Sequence, residues 1–265
     1  MWTSSRLNIL AFAAACTNAP ALAQSFDTTL LKADSTEQAT GVIGAAVAHM
    51  PVYSGADQQR LKALPLLEYQ SKEGWFAGTL HGVGYNASSD PAFQYGPRIT
   101  ADLGRKANQS ESLHGMGDVS PKVEWGAFFN YLLSDSLGLT SSIRYGSGDG
   151  STGVVSSLGI TYAHVLSTQW LWCVEGGLTF ANRSHMQTYF GVTTEQSSSS
   201  GHAPYKPRPG LRDARIGSSL SYQVDRRTFI NTSLSIVQIG VVARRSPLEL
   251  REVSVIPGIA VGYRF

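Results

Sequence analysis

The chain is short of charge, of cysteine and of long hydrophobic runs. Charged residues make up 15% of its 265 residues and the formal net charge is +2, so no basic block indicates nucleic-acid binding. Two cysteines are too few for a disulfide framework. The apolar segment at residues 7–16 is well short of the roughly 20 residues that a membrane-spanning helix needs. Neither disulfides nor transmembrane helices are therefore expected to hold the fold together.

The first residues have the pattern of a secretory signal. Arg6 precedes the apolar segment 7–16, Pro20 ends it, and Ala21-Leu22-Ala23 forms an A-x-A cleavage site. We expect a signal peptide at 1–23, a short periplasmic tail at 24–40 and one domain at 41–265. Cys16 would leave with the signal, so Cys173 is expected to be an unpaired, buried cysteine.

The C-terminal segment 253–265 shows the dominant pattern of the chain. Every second residue from Val253 is apolar and the series ends in Tyr263 and Phe265, whereas the residues between are mostly small or polar. A period of two indicates a β-strand, and this alternation suits a strand with lipid outside and a wet lumen inside. Tyr263 and Phe265 resemble the assembly signal of bacterial outer-membrane barrels. The alternative is the last strand of a soluble sandwich.

Similar segments follow one another along the chain. Most are about nine to fourteen residues long, as a tilted strand needs to cross a bilayer, whereas soluble strands are commonly about five or six. The eleven predicted strands are 41–50, 63–71, 75–86, 93–104, 122–133, 137–146, 153–166, 170–181, 211–224, 228–240 and 253–265. Short turns alternate with long loops, as in outer-membrane barrels.

The strand count must be even in a single-chain bacterial barrel of this kind. The turn pattern makes 93–104 and 122–133 run in the same direction, so an additional strand is expected within 105–119. The sequence thus predicts an all-β, transmembrane antiparallel up-and-down β-barrel of twelve strands, with ten strands as the alternative.

Aromatic residues cluster near the predicted strand ends, as expected for two interfacial girdles. The set near the short turns is Tyr69, Trp75, Tyr131, Tyr162, Trp170, Tyr222, Phe229 and Tyr263. The set near the long loops is Tyr85, Tyr95, Tyr145 and Phe180.

Charged residues within the predicted strands should face the lumen, because a charge at the bilayer midplane costs about 2–4 kcal/mol. The predicted lumen charges are Glu68, Arg98, Asp102, Lys122, Glu124, Arg144, Glu175 and Arg264. Both signs occur, which fits a self-neutralised lumen that stiffens the barrel. The alternative is the lining of a selective channel.

No pattern indicates an enzyme, a cofactor or a metal. The six histidines lie in no metal-binding spacing. A G-x-G-x-x-G match at 148–153 precedes a predicted strand, whereas a dinucleotide site needs a helix there. A serine–histidine hydrolase site is defined by geometry, which sequence does not supply.

Several short motifs together carry a family resemblance. They are Pro51-Val-Tyr-Ser-Gly-Ala-Asp57, Tyr95-Gly-Pro97, Gly115-Met-Gly-Asp118, Tyr189-Phe-Gly-Val192, Ser246-Pro-Leu248 and Gly262-Tyr-Arg-Phe265. In this order and spacing the chain resembles the MipA/OmpV family of Gram-negative outer-membrane proteins, over nearly all of its mature length.

The resemblance implies a barrel in the cell outer membrane that acts as a scaffold between a murein-degrading lytic transglycosylase and a murein synthase. Lipid, lipopolysaccharide and the barrel assembly machinery are the other expected partners. A porin-like channel for small solutes is the alternative, and a lipid-modifying enzyme is a distant one. The resemblance brings no catalytic residues.

Overall fold

A computed structural model describes residues 39–265. The predicted signal peptide and nearly all of the predicted tail lie outside the described residues. Twelve antiparallel strands form a closed barrel. The strands are β1 Thr40–Pro51, β2 Gln59–Gln70, β3 Trp75–Gly78, β4 Gly82–Tyr85, β5 Phe93–Asp102, β6 Lys122–Ser134, β7 Leu137–Ser147, β8 Gly153–Val165, β9 Trp170–Ala181, β10 Gly210–Gln223, β11 Thr228–Ile239 and β12 Val253–Arg264.

The strands follow one another around the barrel in chain order, and β12 closes it by pairing with β1. Ile43 pairs with Tyr263 and Ala46 with Ala260 in this seam. Large apolar side chains such as Ile43 and Ile259 are exposed on the outer face, while their strand neighbours are buried or half-buried. An outward apolar face with an inward polar one is the pattern of a barrel in lipid. The predicted twelve-stranded, antiparallel all-β barrel is confirmed.

The short turns and both ends of the barrel-forming chain lie at one end of the barrel. We call this the turn end, and we call the opposite end, where the longer connections lie, the loop end. In outer-membrane barrels short turns face the periplasm and longer loops face the exterior.

The twelfth strand arises in a different place from the one predicted. Residues 105–119 hold two single 3₁₀ turns and an isolated bridge between Arg105 and Val119, with no strand. Segment 75–86, predicted as one strand, instead folds back on itself as the four-residue strands β3 and β4. Gly82 has φ +72° where the chain reverses, a conformation that favours glycine. The apolar residues before and after the reversal keep the same alternation, so the sequence pattern did not reveal the turn.

The position of two aromatic residues changes as a consequence. Because β3 and β4 form a half-height hairpin, Tyr85 returns to Trp75 with the two ring centroids 5.0 Å apart. Tyr95 accepts a backbone hydrogen bond from Ala87 at the same end. Both tyrosines therefore lie towards the turn end, and their assignment to the loop end was wrong. Phe229, assigned to the girdle near the short turns, is instead buried inside the barrel.

Apolar side chains fill the lumen at the level of the short hairpin. Leu80, in the turn between β3 and β4, packs in one buried cluster with Leu66, Leu171 and Phe229. The cluster spans the barrel from β2 to β9. We call it the lumen plug. Burying side chains of this size removes large apolar areas from water, and each stabilises the fold by about 1.5–3 kcal/mol.

Cys173 also belongs to the lumen plug and is buried, as predicted. The prediction that it is unpaired was wrong for the chain as described, in which Cys173 is disulfide-bonded. The other cysteine of the sequence, Cys16, lies outside the described residues.

The connections at the loop end fold over the barrel as a lid. Three helices lie there, α1 Arg183–Phe190, α2 Thr194–Ser200 and α3 Val241–Arg244. The Asn182 side chain caps α1 by accepting from the backbone of His185, and Thr193 caps α2. Met186 and Phe190 of α1 are fully buried in a cluster that includes Ile239. Among residues 39–265 no helix is long and apolar enough to cross a membrane.

Side-chain hydrogen bonds join the parts of the lid to one another. Tyr53 donates to the carbonyl of Leu248 at 2.8 Å, and Ser246 donates to the carbonyl of Phe190 at 2.6 Å. Tyr205 donates to the carbonyl of Val242 at 2.6 Å. Partners in these pairs come from different connections, so the lid is stabilised as one unit.

Candidate functional site

The candidate site is the space between the lumen plug and the lid. Its best-defined contact is an ion pair between Glu124 on β6 and Arg144 on β7, with 2.6 Å between the carboxylate oxygen Oε2 and the guanidinium nitrogen Nη1. Thr100 donates to the same carboxylate at 3.2 Å. Glu124 is only 1% exposed. A buried charge is tolerated when it is paired and hydrogen-bonded, and both conditions hold here.

Asp102, at the end of β5, connects the barrel wall to the lid. Its carboxylate accepts from the Tyr189 hydroxyl of α1 and from the backbone amides of Gly104 and Gly148, each at 3.1 Å. Burial, followed by the nearby Asp102 charge, raises the pKa of Tyr189. The tyrosine therefore stays protonated and donates to Asp102.

Ser147 and His185 also meet beneath the lid, with 2.8 Å between the serine Oγ and the imidazole Nδ1. Burial lowers the pKa of His185 well below its usual range, and the charges of Arg212 and Arg144 act in the same direction. Ser147 is 0% exposed. Asp102 binds Tyr189 instead of the imidazole. A serine–histidine–acid relay needs an acid on the imidazole and an accessible hydroxyl, so this pair is an anchor for α1.

A cavity of about 280 Å³ lies beside these groups. The side chains that line it are of two kinds. One wall is apolar and includes Met50, Val237, Ile239 and Ile256. The other carries four basic residues, Lys62, Arg105, Arg212 and Arg215, and one acidic residue, Asp213. Arg212 forms a 2.5 Å ion pair with Asp213, so the cavity lining has an excess of positive charge.

Arg105 is the most constrained of these cations. It is 4% exposed, and its Nη1 donates to the carbonyl of Tyr189 at 2.9 Å. Its Nε is buried and has no hydrogen-bond partner among residues 39–265. Sequence reasoning missed Arg105 because it follows β5 in an irregular segment. Arg215 was missed although it belongs to the inward set of β10, whereas Arg212 is buried where the alternation breaks, at the register shift between Leu211 and Asp213.

The eight predicted lumen charges all belong to the inward set of their strands, in which buried and exposed residues alternate. Their surroundings differ. Glu68 contacts the His81 Nδ1 at 2.6 Å and accepts from the Leu80 amide, and Arg264 lies 4.4 Å from the centroid of the Phe229 ring. Arg98 and Glu175 are buried, and Lys122 is half-buried. That they neutralise one another and stiffen the barrel remains a prediction, with a selective lining as the alternative.

The predicted assembly signal lies at the β1–β12 seam. Tyr263 and Phe265 are exposed on the outer face. The backbone of Phe265 exchanges two 3.1 Å hydrogen bonds with Gly41. The Phe265 ring covers Gly41 so closely that a Cβ atom there would lie 2.4 Å from it. The last residue thus completes the closure, and its role in assembly remains a prediction.

The turn end holds a second concave surface, which we call the turn-end cleft. Its volume is about 370 Å³ and it lies between the β2–β3 turn and the β4–β5 loop. Lys72 and Glu73 form one side, and Asn86, Ser89 and Asp90 form the other. Its polar, charged lining contrasts with the half-apolar cavity under the lid. Within residues 39–265 no group of three or more histidine, cysteine or acidic side chains could hold a metal ion.

The barrel resembles solved porin structures. The porin KdgM covers 84% of this chain and 99% of its own length, with a TM-score of 0.46 and 11% identity. The porin NanC covers 83% of this chain and 98% of its own length, with a TM-score of 0.49 and 9% identity. No curated protein sequence matches the chain.

The outward apolar face and the alternating turns and loops define an outer-membrane β-barrel protein of Gram-negative bacteria. Residues 43–265 match the family model of the MltA-interacting protein MipA. The chain therefore belongs to the MipA family, as its motifs indicated.

Proposed function

We propose that this protein is a scaffold that binds murein-degrading and murein-synthesising enzymes at its turn end, on the periplasmic side. The observation that carries the proposal is membership of a family described by its interaction with MltA. A lytic transglycosylase would be one partner and a murein synthase the other.

The filled lumen favours a scaffold over a porin-like channel. The lumen plug places Leu80, Leu171 and Phe229 within the barrel, and the lid buries Met186 and Phe190 at the loop end. Conduction requires a path that solutes can enter and leave. Two sets of packed side chains along the axis oppose such a path.

The turn-end cleft supplies a surface of the kind that a scaffold needs. It is polar and lies at the end that faces the periplasm in barrels of this class. Lys72 and Glu73 are exposed and form a 3.8 Å ion pair with each other. Exposed pairs contribute little stability, so either side chain can exchange this contact for one with a partner. Charged rims of this kind steer association and select partners more than they raise affinity. The interaction is therefore expected to weaken as salt increases.

The proposal is tested by capture of murein enzymes from solubilised envelopes on the immobilised mature protein. The test variant is Glu73→Lys in the turn-end cleft. The matched control is Glu195→Lys on α2, which makes the same charge change in the lid. We expect wild type and Glu195→Lys to enrich a lytic transglycosylase and a murein synthase, and Glu73→Lys to enrich them less. Failure of wild type to enrich either enzyme would overturn the proposal.

A further inference from the structure

The wall of the barrel is incomplete above the β3–β4 hairpin. On the β2 side, β3 pairs with only three residues, Glu68–Gln70. On the β5 side, β4 pairs with only two, Arg98 and Ile99. Nearer the loop end, no strand among residues 39–265 pairs with β2 from Gln59 to Leu66 on this side. The last residues of β5 are equally unpaired there. We call this gap between β2 and β5 the side window.

The loops close the side window at its outer margin. Val52, Tyr53 and Ala56, which precede β2, pack in one buried cluster with Leu113 from the β5–β6 connection. The turn that carries Leu80 forms the opposite margin. The gap in strand pairing is therefore bounded on all sides and lies in the side wall of the barrel, which faces the lipid.

The sequence of β2 is adapted to an unpaired edge. The backbone N–H of Leu67 donates to the Thr79 hydroxyl, and the backbone carbonyl of Leu67 accepts from the Thr79 amide. The backbone hydrogen-bonding groups of Leu67 are therefore directed towards the β3 side of β2. Along a strand the backbone N–H and C=O groups of successive residues are directed to alternate sides, so those of Pro65 and Ala63 are directed into the side window. Pro65 has no N–H to leave unsatisfied, and proline within sheets is confined to such edges. Unsatisfied backbone groups are costly in lipid, so those that remain need a polar or water-filled neighbour.

The cavity under the lid reaches both margins of the side window. Lys62 of β2 and Leu103 and Gly104 after β5 belong to its lining. The lumen plug lies towards the turn end and the lid lies towards the loop end. The outer face beside the window is apolar, since Leu61 is 71% exposed and Leu103 is also exposed. A molecule in the membrane would meet an apolar approach and then a basic interior.

We propose that this cavity binds an anionic amphiphile that enters sideways from the membrane through the side window. The headgroup, a carboxylate or phosphate, lies against the buried Arg105, and Arg215 belongs to the same cavity lining. The alkyl chain follows Val237, Ile239 and Ile256. Arginine presents several N–H donors to such groups in a fixed geometry, and within the described part of the chain the buried Arg105 Nε has no hydrogen-bond partner. This inference is independent of the proposed scaffold role.

Binding is tested with radiolabelled dodecanoate and the protein in lipid nanodiscs, with empty nanodiscs as the blank. We expect one saturable site per barrel. Val237→Trp, which fills the cavity, should abolish it, whereas Ile236→Trp on the adjacent outward position should not change it. Arg105→Gln should weaken binding at least tenfold and Arg105→Lys should restore part of it. Heat-modifiable gel mobility verifies that each variant is folded.

Competition experiments distinguish an anionic amphiphile from a small free anion and from an uncharged amphiphile. Unlabelled dodecyl phosphate should displace dodecanoate, while acetate, inorganic phosphate and dodecanol at the same concentration should not. Displacement by acetate or phosphate would show that the site takes small free anions and would overturn the amphiphile assignment. Absence of saturable binding by wild type, or equal binding by Val237→Trp, would overturn the site itself.

The route is tested by association rates. Ala101 lies on the outward set of β5 at the margin of the side window, and Ala127 lies on the outward set of β6 away from it. Ala101→Trp should slow association of dodecanoate at least fivefold, and Ala127→Trp should leave it unchanged. Equal rates in the two variants would contradict sideways entry.

Discussion

The ion pair between Glu124 and Arg144 allows a quantitative test of the interior. Both side chains are nearly inaccessible, at 1% and 5% exposure, and their charged atoms are 2.6 Å apart. Removing one partner takes this short contact away from a buried charge, and breaking a buried ion pair in this way costs about 3–5 kcal/mol. We therefore expect Glu124→Leu and Arg144→Met each to lower the free energy of unfolding by about 3–5 kcal/mol. Thr100 loses its 3.2 Å hydrogen bond in the first variant as well.

The double variant Glu124→Leu/Arg144→Met distinguishes this mechanism from a loss of packing. When both charges are replaced by apolar groups, neither charge of the pair stays buried without the other. Such double replacements often change the stability little. The double variant should therefore be more stable than either single variant. The assay is urea-dependent folding into lipid vesicles, followed by gel mobility and tryptophan fluorescence. Additive losses in the double variant, or single losses below about 1 kcal/mol, would refute the reasoning.

Three further predictions follow from the wall, the seam and the lid. Val174→Arg, near the middle of β9, should destabilise the barrel by about 2–4 kcal/mol and Trp170→Arg, at its end, by about 0–1; equal costs in vesicle folding would refute the assigned depth. Deleting Phe265 should reduce barrel yield in the outer membrane and raise periplasmic degradation, and an unchanged yield at low and high expression would contradict its role. Because the pKa of His185 is lowered in the folded state, His185 stabilises α1 above the unfolded value of about 6.5, and this contribution is lost as the pH falls below that value. Proteolysis of the lid should therefore increase between pH 7.5 and 5, and His185→Gln should flatten this dependence.

Much of the barrel could be predicted because its signal is local. Alternation within β9 and β12 requires only neighbouring residues, and the predicted bounds of β9 equal the observed Trp170–Ala181. The half-height hairpin could not be predicted in the same way. Its apolar residues keep the alternation through the reversal at Gly82, and only pairing with β2 and β5 places it.

The candidate site was largely beyond sequence reasoning, because its contacts join distant residues. Ser147 and His185 are 38 positions apart, and Asp102 and Tyr189 are 87 apart. The alternation of side chains along a strand identifies Glu124 and Arg144 as interior residues, but it does not show that they contact each other. The cavity depends on loops, whose conformation has no periodic signal.

Because the plug fills the lumen and the lid covers it, we expect the protein to act through its turn end and not as an open channel. Single-channel recording of the mature protein in planar bilayers tests this most directly. Wild type should give no large, steady conductance at neutral pH, while Leu80→Ser/Phe229→Ser, which opens the plug, should raise the frequency of conducting events. A large, steady conductance from wild type would contradict the account and favour a channel.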